Sequence, residues 1–218
     1  MLAAVGVSLA ATLVANTAMA GDLEAPRRKL AEFHGQSASP AVHSFADWVV
    51  AARDSRGMAF LIVDKVEARI FVFQPDGYLI GAAPALLGLA RGDDNVPGIG
   101  TRPLASIKPS ERTTPAGRFV ASLGHDLGEQ DVIWVDYDAA ISLHRVITTN
   151  PAERRLQRLA TPTPSDNRIS YGCINVPAEF YDRTVRPVFA NASGIVYILP
   201  ESGPMRKYFP DYRRGGRG

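Results

Sequence analysis

Seven short runs of β-branched and aromatic residues, set between Gly-, Pro- and Asp-rich turns, leave this chain little choice of fold. They are Met58–Asp64 (MAFLIVD), Arg69–Gln74 (RIFVFQ), Tyr78–Gly88 (YLIGAAPALLG), Thr113–Gly124 (TTPAGRFVASLG), Asp131–Tyr137 (DVIWVDY), Ala140–Ile147 (AISLHRVI) and Gly194–Pro200 (GIVYILP). Runs of this composition and length read as strands rather than helices. The first two are joined by a short polar turn and form a hairpin. Pro75-Asp76-Gly77 follows as a turn, because proline presets φ and glycine accepts positive φ. Helical spacing appears in few places. Val42, Phe45, Val49 and Ala52 fall on one stripe after Pro40, with Gly57 as the stop. A short helix is expected at Ala152–Leu159, and another opens at Pro177 and ends by Pro187. The expectation is a mainly β domain, a sandwich or barrel-like sheet with a few short helices. A chain of 218 residues with 46% hydrophobic residues buries one such core without covalent staples.

The chain divides around that domain. Residues 1–20 are nearly all small or apolar and end in Ala18-Met19-Ala20, the small-x-small pattern of a cleaved signal peptide, although the basic start of such a segment is missing. A membrane anchor is the rival, and the run is short and Ala-rich for one. Residues 21–57 read as a linker and N-terminal helix, 58–200 as the domain, and 201–218 as a basic, flexible tail ending in RRGGRG. The expected location is periplasmic or extracytoplasmic, with membrane contact only through the leader. The net charge of +2 is scattered along the chain, so no nucleic-acid groove is expected. The chain is expected to be a monomer. The Gly- and Pro-rich stretch 91–112 is too long for an ordinary connection, and is either a lid or irregular scaffold.

Cys173 is the only cysteine. In an oxidising compartment a lone thiol is a buried inert residue, an intermolecular bridge or a nucleophile. A nucleophile needs a base, because the thiolate is the attacking form. His34 and His43 lie in the lead-in and first helix, and His125 between two strands, all expected at the surface. His144 alternates with apolar neighbours near the end of a strand, a rigid place from which to aim a ring. By spacing alone, a hydrogen-bonded structural histidine remains the stronger reading of it. Gly172 permits close backbone approach. The amides of Tyr171, Gly172 and Cys173 are candidates to converge on an oxyanion. His and Cys do not occur at zinc-ligand spacing, and neither a metal nor a cofactor is expected.

Ser170–Asn175 (SYGCIN), with His144 on an upstream strand and Thr113–Phe119 (TTPAGRF) before it, resembles the L,D-transpeptidase catalytic domain, also called YkuD-like. That family has a histidine, a spacer, then Ser/Thr-His-Gly-Cys followed by an apolar residue and Asn or Arg. Its Thr-Pro-x-Gly-x-Phe strand is similar to TTPAGRF, and its opening hairpin to LIVDKVEARIFVFQPDG. The resemblance spans about Met58 to Pro200. It implies a β-sandwich-like fold and an exported cysteine acyltransferase acting on peptidoglycan stem peptides. Carried over by position, Cys173 is the nucleophile and His144 the base. Ser170 is a supporting residue, the amides of 171–173 form the oxyanion hole, and Asn175 shapes the site. Arg145 and Arg168, flanking these motifs, are candidates for substrate binding. Alternatives are a carboxypeptidase or other thiol hydrolase, and a non-catalytic wall-associated module. Two departures stand out: Tyr171 replaces the family's histidine, and the spacer after His144 is long. Its arginines, Arg154, Arg155 and Arg158, read as a solvated helix face, with a substrate carboxylate as the other possibility.

Overall fold

The structure, a computed structural model, describes residues 29–214. The expected leader cut after Ala20 and the last four tail residues lie outside the described residues. Among the described residues, ten strands and a few short helices make a mainly β domain, as the apolar runs require. The strands are β1 (Phe60–Asp64), β2 (Arg69–Phe73), β3 (Leu79–Pro84), β4 (Leu87–Gly88), β5 (Gly117–His125), β6 (Asp131–Asp136), β7 (Ile141–Arg145), β8 (Arg168–Ser170), β9 (Ile174–Val176) and β10 (Gly194–Leu199). Eight of them form one sheet in the order β3-β2-β1-β10-β5-β6-β7-β9, and β4 pairs with β8 apart from it. The last long apolar run therefore lies in the middle, parallel to β1 and antiparallel to β5.

Why β1 and β10 are continuous apolar runs follows from that position. Phe60 and Ile62 on β1, with Ile195 and Tyr197 on β10, enter one cluster, while Leu61, Val63, Val196 and Ile198 enter another on the opposite face. Strands buried on both faces have no polar side. The first cluster is covered by α1 (Pro40–Ala52), whose N-cap Ser39 accepts from the Val42 amide at 3.2 Å with Pro40 in the first turn. The helix ends before the expected Gly57, because Arg53 adopts the left-handed conformation and returns its amide to the Val49 and Val50 carbonyls.

The flanking segments are more firmly docked than their composition suggests. Phe33 is buried against Phe73, and the Ala31 amide donates to Asp47. On the other side, Phe209 and Tyr212 pack on Phe45, so residues 201–214 are not a loose tail.

The sheet curls until its edges meet. β3 is one edge and β9 the other. Just beyond β3, Leu86 exchanges two backbone hydrogen bonds with Asn175 of β9, at 2.8 and 2.9 Å. This closure brings the chain after β3 alongside the cysteine motif. The other helices are α2 (Arg155–Ala160), α3 (Ala178–Phe180), α4 (Arg186–Phe189) and α5 (Met205–Tyr208), with one π-helical turn, Tyr181–Val185, joining α3 to α4.

A buried charge cluster braces the closure. Lys65, fully buried, pairs with Asp93 at 2.6 Å and donates to the carbonyls of Gly92 and Thr114. Asp93 accepts from the amides of Glu201, Ser202 and Gly203. Burial alone would push its carboxyl up, but the Lys65 hydrogen bond and those amides hold it below the ordinary value. Lys65→Met leaves Asp93 without its cation and is expected to cost about 3–5 kcal/mol of unfolding free energy, measured by denaturant titration at neutral pH. Because Asp93's folded pKa lies below its unfolded one, its contribution is present above the unfolded value and is lost as pH falls through the folded value. The deficit of the variant should therefore shrink on acidification.

Candidate active site

Cross-strand register decides which side chains share a face, because residues directly opposite one another point the same way. Trp134 on β6 lies opposite Ser142 on β7, and His144, two residues on, lies opposite Asn175 on β9. Trp134, Ser142, His144 and Asn175 therefore project from one side, while Leu143 and Ile174 fill the core behind them. Cys173 sits immediately before β9, half-buried, at the end of a tight turn after β8.

That turn is held from several directions. Ser170, buried, donates its hydroxyl to the Cys173 carbonyl at 2.6 Å and accepts from the Gly172 amide at 3.1 Å. Thr114, from the TTPAGRF segment, donates to the Gly172 carbonyl at 2.8 Å and accepts from the Gly88 amide at 2.8 Å. The Thr114 carbonyl is in turn held by Lys65, so the buried charges reach the cysteine turn through one residue. Gly172 has φ +130, and a β-carbon there would lie 2.6 Å from the Thr113 carbonyl oxygen and 2.7 Å from Ile141 Cδ1. Gly172→Ala is thus expected to cost about 2–3 kcal/mol and to displace the sulfur. Lowered thermal stability together with slowed thiol alkylation is the outcome to measure; an unchanged melting temperature would show that the turn is less constrained than its φ indicates.

The sulfur has its own partners. Ser142 donates its hydroxyl to it at 3.6 Å, and the thiol lies 3.6 Å from the Ala140 carbonyl. The His144 ring is the sulfur's titratable neighbour. Desolvation would push the thiol up. The hydrogen bond and charge of His144, with hydrogen bonds from the Ser142 amide and hydroxyl, bring it below its ordinary value. Desolvation would likewise push the imidazole down, and the sulfur outweighs that and holds it above its ordinary value. Opposite shifts in two adjacent groups ease the passage of the proton from sulfur to ring.

Geometry assigns the tautomer of the neutral ring. His144 Nδ1 lies 2.7 Å from the Arg145 carbonyl, which can only accept, so Nδ1 carries the proton. Nε2 is then the nitrogen with a lone pair for the thiol proton. Asn175 Nδ2 lies 3.2 Å from that same Nε2.

Of the other candidate residues, Tyr171 lies under the Arg112 guanidinium, 3.8 Å from the ring centroid. Arg112 also donates to the Ile107 carbonyl, fixing the end of the 91–112 segment against the cysteine turn. That segment is pinned elsewhere by Asn95 to Asp136 and by Asp94 to Lys207, so it is braced scaffold at these points. At Gly100 a β-carbon would fall 2.2 Å from the Asp138 carbonyl oxygen, which packs the segment against the turn that carries Ala140. The Gly172 amide, expected at an oxyanion, is taken by Ser170, which leaves the amides of Tyr171 and Cys173 for that task. Arg145 faces away from the sulfur, in ion pairs with Asp131 and Asp182 and over the Tyr181 ring. Arg168 is buried in a two-pronged pair with Glu201 and donates to the Lys65 carbonyl. Both arginines therefore have structural partners. His34 and His125 are exposed, and His43 packs on Phe33.

Sequence reasoning missed Ser142, Thr114 and Arg112. Ser142 carried a signal, since period-two alternation places it on the face of His144. The excursion also holds a surprise: the Arg155 side chain is only 12% exposed and reaches Asn175 Oδ1 at 2.5 Å. A solvated face describes Arg154 better than it does Arg155. Among the described residues no group of three or more His, Cys, Asp or Glu could hold a metal ion, and no helix is long and apolar enough to cross a membrane.

A mainly β scaffold carrying a paired thiol and imidazole beside a constrained turn defines the class of site. Comparison with protein-family models gives no match, and neither does comparison with curated proteins. Among solved structures, the chain is similar to the helical cell shape determining protein of Campylobacter jejuni, at 13% identity over 67% of this chain and 49% of that one, TM-score 0.43. It is also similar to the L,D-transpeptidase of Enterococcus faecium, at 14% identity over 65% and 50%, TM-score 0.36. The L,D-transpeptidase from Mycobacterium smegmatis is 13% identical over 65% and 58%, TM-score 0.37. The chain spans about half the length of these structures.

Proposed function

We propose that the chain is an exported cysteine acyltransferase acting on peptidoglycan stem peptides, an L,D-transpeptidase. The observation that carries the reading is the shared face of Ser142 and His144 beside the constrained Cys173 turn, with Ser142 3.6 Å from the sulfur, and the opposite shifts of thiol and imidazole agree with it. The SYGCIN and TTPAGRF resemblances, whose residues meet at the Thr114–Gly172 hydrogen bond, support it.

In chemical terms, His144 Nε2 takes the thiol proton and the sulfur attacks the carbonyl carbon of the L,D amide before the terminal D-Ala. The charge that develops on the carbonyl oxygen needs donors, and the amides of Tyr171 and Cys173 are the candidates, each such donor contributing about 2.7–4 kcal/mol. The C–N bond breaks, the imidazolium passes its proton to the departing amine, and D-Ala leaves a thioester on Cys173. An incoming amine attacks the thioester, His144 Nε2 takes the amine's proton, and the sulfur departs as thiolate and regains that proton from the imidazolium. The acceptor is a second stem, a protein lysine or a free D-amino acid; water in its place makes the enzyme a carboxypeptidase. Ser142, whose hydroxyl lies 3.6 Å from the sulfur, is placed to donate to the anion when it leaves.

The test is incubation of purified protein with tetrapeptide muropeptides, followed by mass spectrometry of both. Loss of D-Ala and an acyl adduct on Cys173 are the expected results. Intact muropeptides with an unmodified thiol would point to the non-catalytic module.

A further inference from the structure

Arg155 belongs to the excursion between the histidine and the cysteine, yet it reaches the centre of the site. Its Nη1 donates to Asn175 Oδ1 at 2.5 Å and its Nε to Glu153. A guanidinium has donors only, so the oxygen end of the Asn175 amide must face it. The nitrogen end is thereby turned to His144 Nε2, at 3.2 Å. An amide N–H facing Nε2 suits a ring whose Nε2 is an acceptor and opposes one whose Nε2 carries a proton.

We propose that Arg155 is a positioning residue: by holding the oxygen of Asn175 it aims the amide nitrogen at Nε2 and keeps His144 neutral and Nδ1-protonated until the thiol yields its proton. This rests on the Cys173–His144 reading. Without Arg155 only the long Nδ2 contact to the Cys173 carbonyl, at 3.4 Å, opposes turning the amide over to accept from Nε2–H, and that turn stabilises the imidazolium and makes it a poorer acid. With Arg155 in place, the proton moved from sulfur to Nε2 stays poorly held and passes readily to the nitrogen of the leaving amine.

The charged groups around the ring are few. Cys173 faces it from the turn before β9 and favours the imidazolium, and Arg155 faces it from the excursion, paired with Glu153, and opposes it. Arg145 meets it through its backbone carbonyl, while its side chain is turned to Asp131 and Asp182. Arg155 therefore acts in two ways, through its charge and through the orientation of the amide, and a test must separate them.

The experiment is an NMR titration of the histidine side chains in the full chain, with His34, His43 and His125 as internal controls. Arg155→Met is expected to raise the His144 midpoint by about one pH unit, a tenfold change in proton affinity. In an Asn175→Ala background there is no amide to orient, and the same replacement is expected to move the midpoint by less than about a third of that, the remainder being charge alone. A far-ultraviolet circular dichroism spectrum and a melting transition like those of the native chain show that each variant is folded. An equal shift in both backgrounds, or none in either, overturns the proposal. The readout does not depend on turnover: failure of Cys173 to form an acyl adduct would end the transferase reading while leaving this hold on the imidazole standing.

Discussion

Cys173→Ala is expected to abolish both release of D-Ala from tetrapeptide muropeptides and acylation by a carbapenem, with the melting temperature nearly unchanged. The expected activity loss is complete, because no other thiol exists in the chain. The stability effect is small because the sulfur is half-buried and its contacts with Ser142 and Ala140 are long, at 3.6 Å each. Intact-mass spectrometry reads the acyl adduct and calorimetry the fold. The two measurements separate a nucleophile from a packing residue. A variant that unfolds would mean that the thiol serves the core, and one that still processes wall fragments would place the chemistry elsewhere.

His144→Gln is expected to slow acylation by about 10²–10⁴-fold, the usual contribution of a positioned acid–base group. It should also move the pH dependence of thiol alkylation. In the native chain His144 and the Ser142 hydrogen bonds outweigh desolvation and hold the thiol below its ordinary value, so the iodoacetamide rate is expected to rise at a lower pH than for a model thiol. Once the imidazole is removed, desolvation is opposed only by the Ser142 hydrogen bonds, and the midpoint climbs back to or above that value. Glutamine retains a hydrogen-bonding end of similar reach, so the loss reports the proton acceptor rather than a cavity. A midpoint that stayed put would remove His144 from the pair.

Much of the fold was legible because the two-face-buried strands are written as unbroken apolar runs, as in FLIVD and GIVYIL. The order of the strands was not legible. Nothing local in GIVYIL states that the last strand inserts between the first hairpin and β5, since that is decided by which faces remain to be covered. The strands β8 and β9 escaped notice for a different reason. Each is three residues long, too short for alternation to register, and each exists through partners remote in sequence, Leu87 and Leu143 among them. In the site, Cys173, His144, Ser170 and Asn175 were named from the motifs, and the structure brings the four together where β7, β8 and β9 meet the cysteine turn. Arg168 had looked like a ligand because it adjoins the motif. Its neighbour in space is Glu201, more than thirty residues on, and a sequence carries no mark of such a pairing.

The β7–β9 pair runs parallel, so the chain leaving one must travel back before entering the other. A detour of a dozen residues or more is therefore a geometric necessity, and its closure cost grows only logarithmically with length. Imidazole and sulfur are held together by the β7–β9 ladder, which carries His144 on a rung and Cys173 just before its first, and not by the stretch that links them in sequence. Such a link is free to lengthen, shorten or acquire new side chains over evolutionary time while the reacting atoms keep their spacing, which makes it the natural place for this architecture to diversify.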